Sequence, residues 1–137
     1  MLVRIFCGRT LASDDRIGKG ADLLGKKLPV WEAEGGSIDY YYWYYGTLAL
    51  HQVGGPRWEK WNAALKTALV EHQRRDERQD EYGSWDPIDP WSSEGGRVYA
   101  TALNCLTTEV YYRYPRVFGT SEHAAKSAEG GKDSDGK

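Results

Sequence analysis

The apolar positions gather into successive stretches whose internal spacing predicts helices of two alternating kinds. Residues 1–8 are apolar apart from Arg4 and Arg-free beyond it, and read as the end of a helix that begins without a capping residue. In "SDDRIGKGADLLGKKLPVW", residues 13–31, Ile17, Ala21, Leu24 and Leu28 recur at helical spacing on one face, and lysines occupy the other. Ser13 and the two aspartates suit an N-cap and the positive end of a helix dipole, and Pro29 stops the pattern. The following "EAEGGS", residues 32–37, reads as a loop.

The next stretch obeys neither period. Five tyrosines and a tryptophan fill Tyr40 to Tyr45, and "GTLALHQVGG" continues to Gly55. At 100° per residue, consecutive aromatics point in every direction, so a helix here requires protein on all sides. Length separates the alternatives: residues 40–53 exceed a typical buried strand, and Gly54-Gly55 ends the segment as a helix ends. Gly46, in the middle, costs a helix about 1 kcal/mol relative to Ala, which predicts a close neighbour.

"GGPRWEKWNAALKTALVEHQRR", residues 54–75, has Pro56 at the expected first helical position and one stripe of Trp58, Trp61, Leu65, Ala68, Leu69 and His72. It predicts an outer, half-exposed helix. "RRDERQDE" reads as a solvated loop, and two Asp-Pro steps disfavour helix until Ser92-Ser93-Glu94, which suit a cap. Residues 97–114 are again apolar nearly all round, with Glu109 and Arg113 one turn apart and Pro115 closing the helix. Residues 119–137 lack the apolar surface to offset their ordering entropy and read as a disordered tail.

Apolar and amphipathic helices therefore alternate. "YYGTLAL" from Tyr44 overlays "VYATALN" from Val98, pairing Tyr45 with Tyr99 and Thr47 with Thr101, each 54 positions apart (99 − 45; 101 − 47). A period of that size with buried and half-buried helices predicts an all-α fold, a two-layer array of α-hairpins forming part of an α/α-toroid of about five helices over residues 1–118.

Composition removes several functions. A net charge of −2 over 137 residues provides no field to concentrate nucleic acid. No apolar run reaches the roughly 20 residues that span a bilayer, and no signal-peptide pattern precedes the first helix, so a cytoplasmic setting is expected. Cys7 and Cys105 each sit among apolar residues, which predicts buried reduced thiols.

"KTALVEHQRRDERQDEYGSWD" resembles the Gln-Trp repeat of terpenoid cyclases and protein prenyltransferases. Lys66, Leu69, Val70, Gln73, Gly83, Ser84 and Trp85 fill its places, with residues 74–82 forming a longer gap than is usual. "EGGRVYATALNCLTTEVYYRYPRVF" resembles the closing hairpin of bacterial proteins with squalene-cyclase-like repeats, and is similar to the toroid of thioester-containing macroglobulins. The resemblance covers residues 2–118. It implies that Lys66, Gln73, Gly83 and Trp85 are structural, the Gln meeting backbone groups at a helix end and the Trp stacking nearby. It also implies a possible isoprenoid ligand, with Tyr41, Tyr44, Tyr45, His51, Thr101, Asn104 and Thr108 as candidate cavity lining.

The chemistry that the resemblance would require is incomplete. The protonating cyclases carry Asp-x-Asp-Asp; here "ASDD" has Ala12 in the first place, and capping accounts for Asp14 and Asp15. "DDRIG" lacks a third carboxylate for Mg²⁺ and pyrophosphate. A prenyltransferase zinc site places Asp two residues before Cys, where this chain has Ile5 and Leu103. "FCGRT" lacks the Glu and Gln of a thioester motif. Asp86 and Asp89 suggest a glycosidase pair, but Asp-Pro turns explain them. His51 reads as a buried structural histidine, and Thr101, Asn104 and Thr108 as a polar stripe that bonds neighbours.

No catalytic, metal or cofactor residue is therefore assigned. A toroid of this family closes with about six hairpins, and this chain offers fewer than half, so no full cavity forms from one copy. The reading is a non-catalytic squalene-cyclase-like repeat segment acting through protein contacts or self-association at exposed apolar flanks. The alternative is an isoprenoid-handling enzyme completed by another chain. Carbohydrate binding would need exposed rings, which an enclosed aromatic helix does not offer.

Overall fold

A computed structural model describes residues 1–113; the expected close at Pro115 and the tail at 119–137 lie outside the described residues. Every regular element among them is helical: α1 (Leu2–Phe6), α2 (Asp15–Lys26), α3 (Tyr40–Val53), α4 (Gly55–Val70), α5 (Ser92–Thr108) and α6 (Val110–Arg113). The all-α expectation holds, and the helix over 40–53 has the bounds its length and glycine stop predict.

α3 is the hub, packing against each of the other five helices. Asp39 starts it, its carboxylate accepting the Tyr42 N–H at 2.8 Å. Gly54 and Gly55 end it with φ of 69° and 61°, a left-handed pair that reverses the chain into α4 without a Cβ penalty. Between these ends Tyr40, Trp43 and the run from Gly46 to Val53 are buried.

α2 and α4 cover two sides of α3. Asp14 caps α2 by accepting the Arg16 N–H, and an ion pair of 2.7 Å from Arg4 to the same carboxylate ties α1 to this junction. Ile17 and Ala21 are buried in α2, as the stripe predicts; Leu24 and Leu28 are only partly covered. Arg57 on α4 meets Asp22 on α2 at 2.7 Å. On α4 the buried set is Trp58, Trp61, Leu65, Ala68 and Leu69, the predicted stripe without His72, which lies past the helix end and is half-buried.

Trp61 explains Gly46. A Cβ on Gly46 would stand 2.5 Å from the Trp61 ring, so the indole lies directly on the α3 backbone, with its Nε1–H donating to Thr47 Oγ1 at 2.9 Å. The close neighbour predicted at Gly46 is thus a side-chain ring.

Four expectations are corrected. The aromatic run is not enclosed: Tyr41 and Tyr45 are 50% and 41% exposed, because no helix covers that side of the α3 N-terminal half. The last apolar stretch is not one helix buried all round. Gly96, with φ 58°, breaks its start; α5 ends at Thr108; and Val98 is 82% exposed, leaving Ala100, Asn104 and Thr107 as the inward face. No side-chain cap forms at Ser92, whose hydroxyl turns instead to Asp89. Cys7 and Cys105 are both exposed. Ile5 is the one buried residue of the five-residue α1, which leaves Cys7 outside, and Cys105 lies on the outward face of α5.

Gly46→Ala tests the ring-on-backbone contact. Better helix propensity would gain about 1 kcal/mol, but overpacking against a fixed indole costs about 1–3 kcal/mol or more, so a net loss is expected. Gly18→Ala in α2, where a Cβ meets only ordinary contact at 3.8 Å from Leu11, should be neutral or stabilising. Urea midpoints of both variants read the difference; equal behaviour would remove the contact.

Candidate functional site

The uncovered side of α3 forms the floor of an apolar groove of about 860 Å³. Met1 with Leu2 and Val3 of α1 form one wall, Gly20, Leu23 and Leu24 of α2 with Lys27 just past its end the adjoining part, and Trp91 from the α4–α5 connection the far end. The floor carries Tyr41, Tyr42, Tyr45, Gly46 and Ala49. Gly20 lets α1 sit close to α2, since a Cβ there would be 3.0 Å from the Met1 sulfur.

The rings of the groove are arranged tilted or edge to face, the arrangement aromatic quadrupoles favour. Tyr41 and Tyr45 stand 4.6 Å apart at 53°, Tyr41 and Trp91 6.5 Å apart at 53°, and Tyr42 meets Trp61 edge-on at 5.6 Å. Tyr42 Oη donates at 2.9 Å to the Lys27 carbonyl at the end of α2. Burial, then the Asp39 carboxylate, raises the Tyr42 pKa and keeps that donor protonated. Two charged groups lie on the groove, Lys27 and Asp39.

The remaining candidate lining residues lie elsewhere. Tyr44 is half-buried, its ring edge-on to Tyr45 at 5.0 Å. His51 is buried with Trp58 at 5.1 Å and Tyr111 at 6.2 Å, in the core behind the groove. Thr101 Oγ1 accepts the Trp85 N–H at 3.4 Å. Asn104 is fully buried beside the Tyr40 hydroxyl, which donates at 2.7 Å to the Asp86 carbonyl. Thr108 donates to the Cys105 carbonyl at 2.8 Å and borders a smaller cleft with Lys66, Tyr111 and Tyr112. The two threonines matched by the 54-residue offset both bind a tryptophan, Thr47 through the indole of Trp61 and Thr101 through the backbone of Trp85.

The segment with the Gln-Trp pattern closes the α4–α5 connection. Trp85 Nε1 donates to the Leu69 carbonyl at 2.8 Å, and Arg75 to the Val70 carbonyl at 2.7 Å. Both satisfy orphan groups at the end of α4. Gln73 leaves that end and donates to the Gly83 carbonyl at 2.7 Å across the loop. Backbone bonds from Arg74 to Ser84 and from Gly83 to Arg74 close the same loop. The Trp, rather than the Gln, therefore covers the helix end. Lys66 stays exposed, 5.9 Å from the Tyr111 ring centroid.

The charged run is an exposed loop from Arg74 to Asp80, as its sequence suggests, and ion pairs tie its ends to the flanking residues. Asp86 pairs with Arg74 and Arg97 at 2.8 Å each, and Arg97 also reaches Glu81 at 3.3 Å. Asp89 is buried and accepts from the Ser92 and Tyr99 hydroxyls. Burial first, then the Asp89 carboxylate, pushes the Tyr40 and Tyr99 phenols far above their usual range, so both remain neutral donors. No group of three His, Cys, Asp or Glu side chains stands ready for a metal among the described residues. Nor is any described helix long and apolar enough to cross a membrane.

Sequence reasoning missed Leu23, Lys27, Asp39 and Trp91. Asp39 carried a readable signal, an acidic residue three places before the first α3 amide it caps. Leu23 and Lys27 stand one place off the buried stripe, and Trp91 follows a proline in a connection with no period.

Comparison of the chain with protein-family models, curated proteins and solved structures returns no significant match.

Burial alone would raise the Asp86 pKa, but hydrogen bonds from Arg74 and Arg97 outweigh it and hold the carboxyl below its ordinary value. A depressed carboxyl stabilises the fold above its unfolded pKa of about 4, and that contribution is lost as pH falls through the folded value. Asp86→Asn should therefore lower the unfolding midpoint at pH 7, and the gap to the parent chain should close below about pH 4. A gap that persists into acid would contradict the ion-pair account.

Proposed function

We propose that the chain is a non-catalytic helical-hairpin unit, of the squalene-cyclase-like repeat type, that docks its apolar groove on a protein surface. The observation that carries this reading is the groove itself. It is walled by Val3, Leu23, Tyr41, Tyr45 and Trp91, all exposed and adjacent. Contiguous exposed apolar surface of this kind marks an interaction site more often than it marks accident. The alternation of α2, α3, α4 and α5 is compatible with part of an α/α-toroid, in which such a face would be covered by a neighbouring hairpin.

The state of the candidate carboxylates supports the non-catalytic half. Asp14 is bound to Arg4, Asp15 to Lys19, Asp86 to two arginines and Asp89 to two hydroxyls. None faces the groove, where a substrate would sit. The isoprenoid-handling alternative draws on the same aromatic floor, whose ring faces suit a carbocation. The exposed rings also remove the ground on which sugar stacking was set aside, but the groove offers few polar partners for hydroxyl groups.

Incubation with squalene and with farnesyl pyrophosphate should give no product and no saturable binding; turnover of either would overturn this reading. Leu23→Glu and Trp91→Ala should each lower fluorescence of a groove-bound apolar dye such as anilinonaphthalene sulfonate several-fold. Because both residues are exposed, their unfolding midpoints should shift by no more than about 0.5 kcal/mol.

A further inference from the structure

We propose that the protein surface received by the groove is a second copy of this chain, related by a twofold axis, with Lys27 of each copy set against Asp39 of the other. The inference rests on the docking reading above and names its partner.

A twofold contact brings one patch against itself, so the patch must complement itself in shape and in charge. The shape condition is met on this face. α1 carries Val3, 77% exposed, on the wall of the groove beside the floor of Tyr42, Gly46 and Ala49. A wall and a floor of apolar character therefore lie side by side, and a twofold rotation places each against the other's counterpart.

The charge condition favours a second copy. Lys27 and Asp39 carry the two charged side chains of the groove, and neither stands in an ion pair among the described residues. They are held apart by the Tyr42 side chain, whose backbone N–H binds the Asp39 carboxylate and whose hydroxyl binds the Lys27 carbonyl. The Lys27 ammonium lies 6.0 Å from the Tyr42 ring centroid. An anionic amphiphile, or a protein face of one sign, would match one of these groups and bury the other without a counter-charge, which is strongly unfavourable. Two copies pair both, twice.

Sedimentation equilibrium of the full chain tests this. The expected result is a monomer–dimer equilibrium with Kd on the order of micromolar, typical of a modest apolar interface. Lys27→Glu should raise that constant by roughly tenfold or more, because two attractive contacts become repulsive. Adding Asp39→Asn removes the repulsion while keeping an amide oxygen to cap α3, and should return the constant most of the way. A dimer indifferent to Lys27→Glu would overturn the twofold arrangement. So would open-ended assemblies, which indicate a head-to-tail contact through the exposed Val98 face of α5. A chain that stays monomeric also overturns it, and the dye then separates two failures. Leu23-dependent dye binding by the monomer would leave the docking reading standing with another partner. A monomer that binds no dye would end both.

Discussion

The structure depends on one contact, the Trp61 indole pressed against the backbone of α3 at Gly46. Only a glycine permits that distance, since a Cβ would meet the ring at 2.5 Å. The Nε1–H of the same indole finds Thr47 at 2.9 Å, so the buried ring leaves no polar atom unbound. This brings α4 close to α3, and the remaining helices take positions around that pair. Tyr42, edge-on to Trp61 from the other side, extends the contact to the end of α2 through its bond to Lys27. Helix propensity at Gly46 is sacrificed for packing, and packing is the larger quantity.

From that contact follows the division of α3 into a covered half and an open half. The C-terminal half, from Gly46 to Val53, is buried by α4, α5 and α6. The N-terminal half has α2 and α1 to one side and Trp91 to the other, with Tyr41 and Tyr45 exposed between them. Polar chemistry is concentrated elsewhere, in the α4–α5 connection, where Arg74, Arg97 and Asp86 fasten a loop whose backbone is already closed on itself. The ion pairs around Asp86 hold that loop in place, and the open half of α3 offers apolar surface outward.

Much of the fold was legible in the sequence. The stripe of Trp58, Trp61, Leu65, Ala68 and Leu69 named the inward face of α4, and Gly54-Gly55 marked the end of α3. Gly46 announced a close neighbour, although spacing alone did not show that it was a ring from the next helix. The errors share a physical cause. An aromatic run has no periodicity to show that one side is bare, so Tyr41 and Tyr45 read as enclosed. Val98 and Cys105 were judged by hydrophobicity, which says nothing about whether a further helix covers α5. The groove was the least legible part, because its walls come from α1, α2, α3 and a connection, and no single segment carries the pattern.

Oxidative surface labelling of the dilute chain with residue-level mass spectrometry tests the bare side of α3 most directly. Hydroxyl radicals should modify Tyr41, Tyr45 and Trp91 rapidly while Tyr40, Trp43 and Trp61, all within 1% of full burial, remain protected. Equal protection of both sets would mean that α3 is covered on every side, and that the chain has no open apolar face.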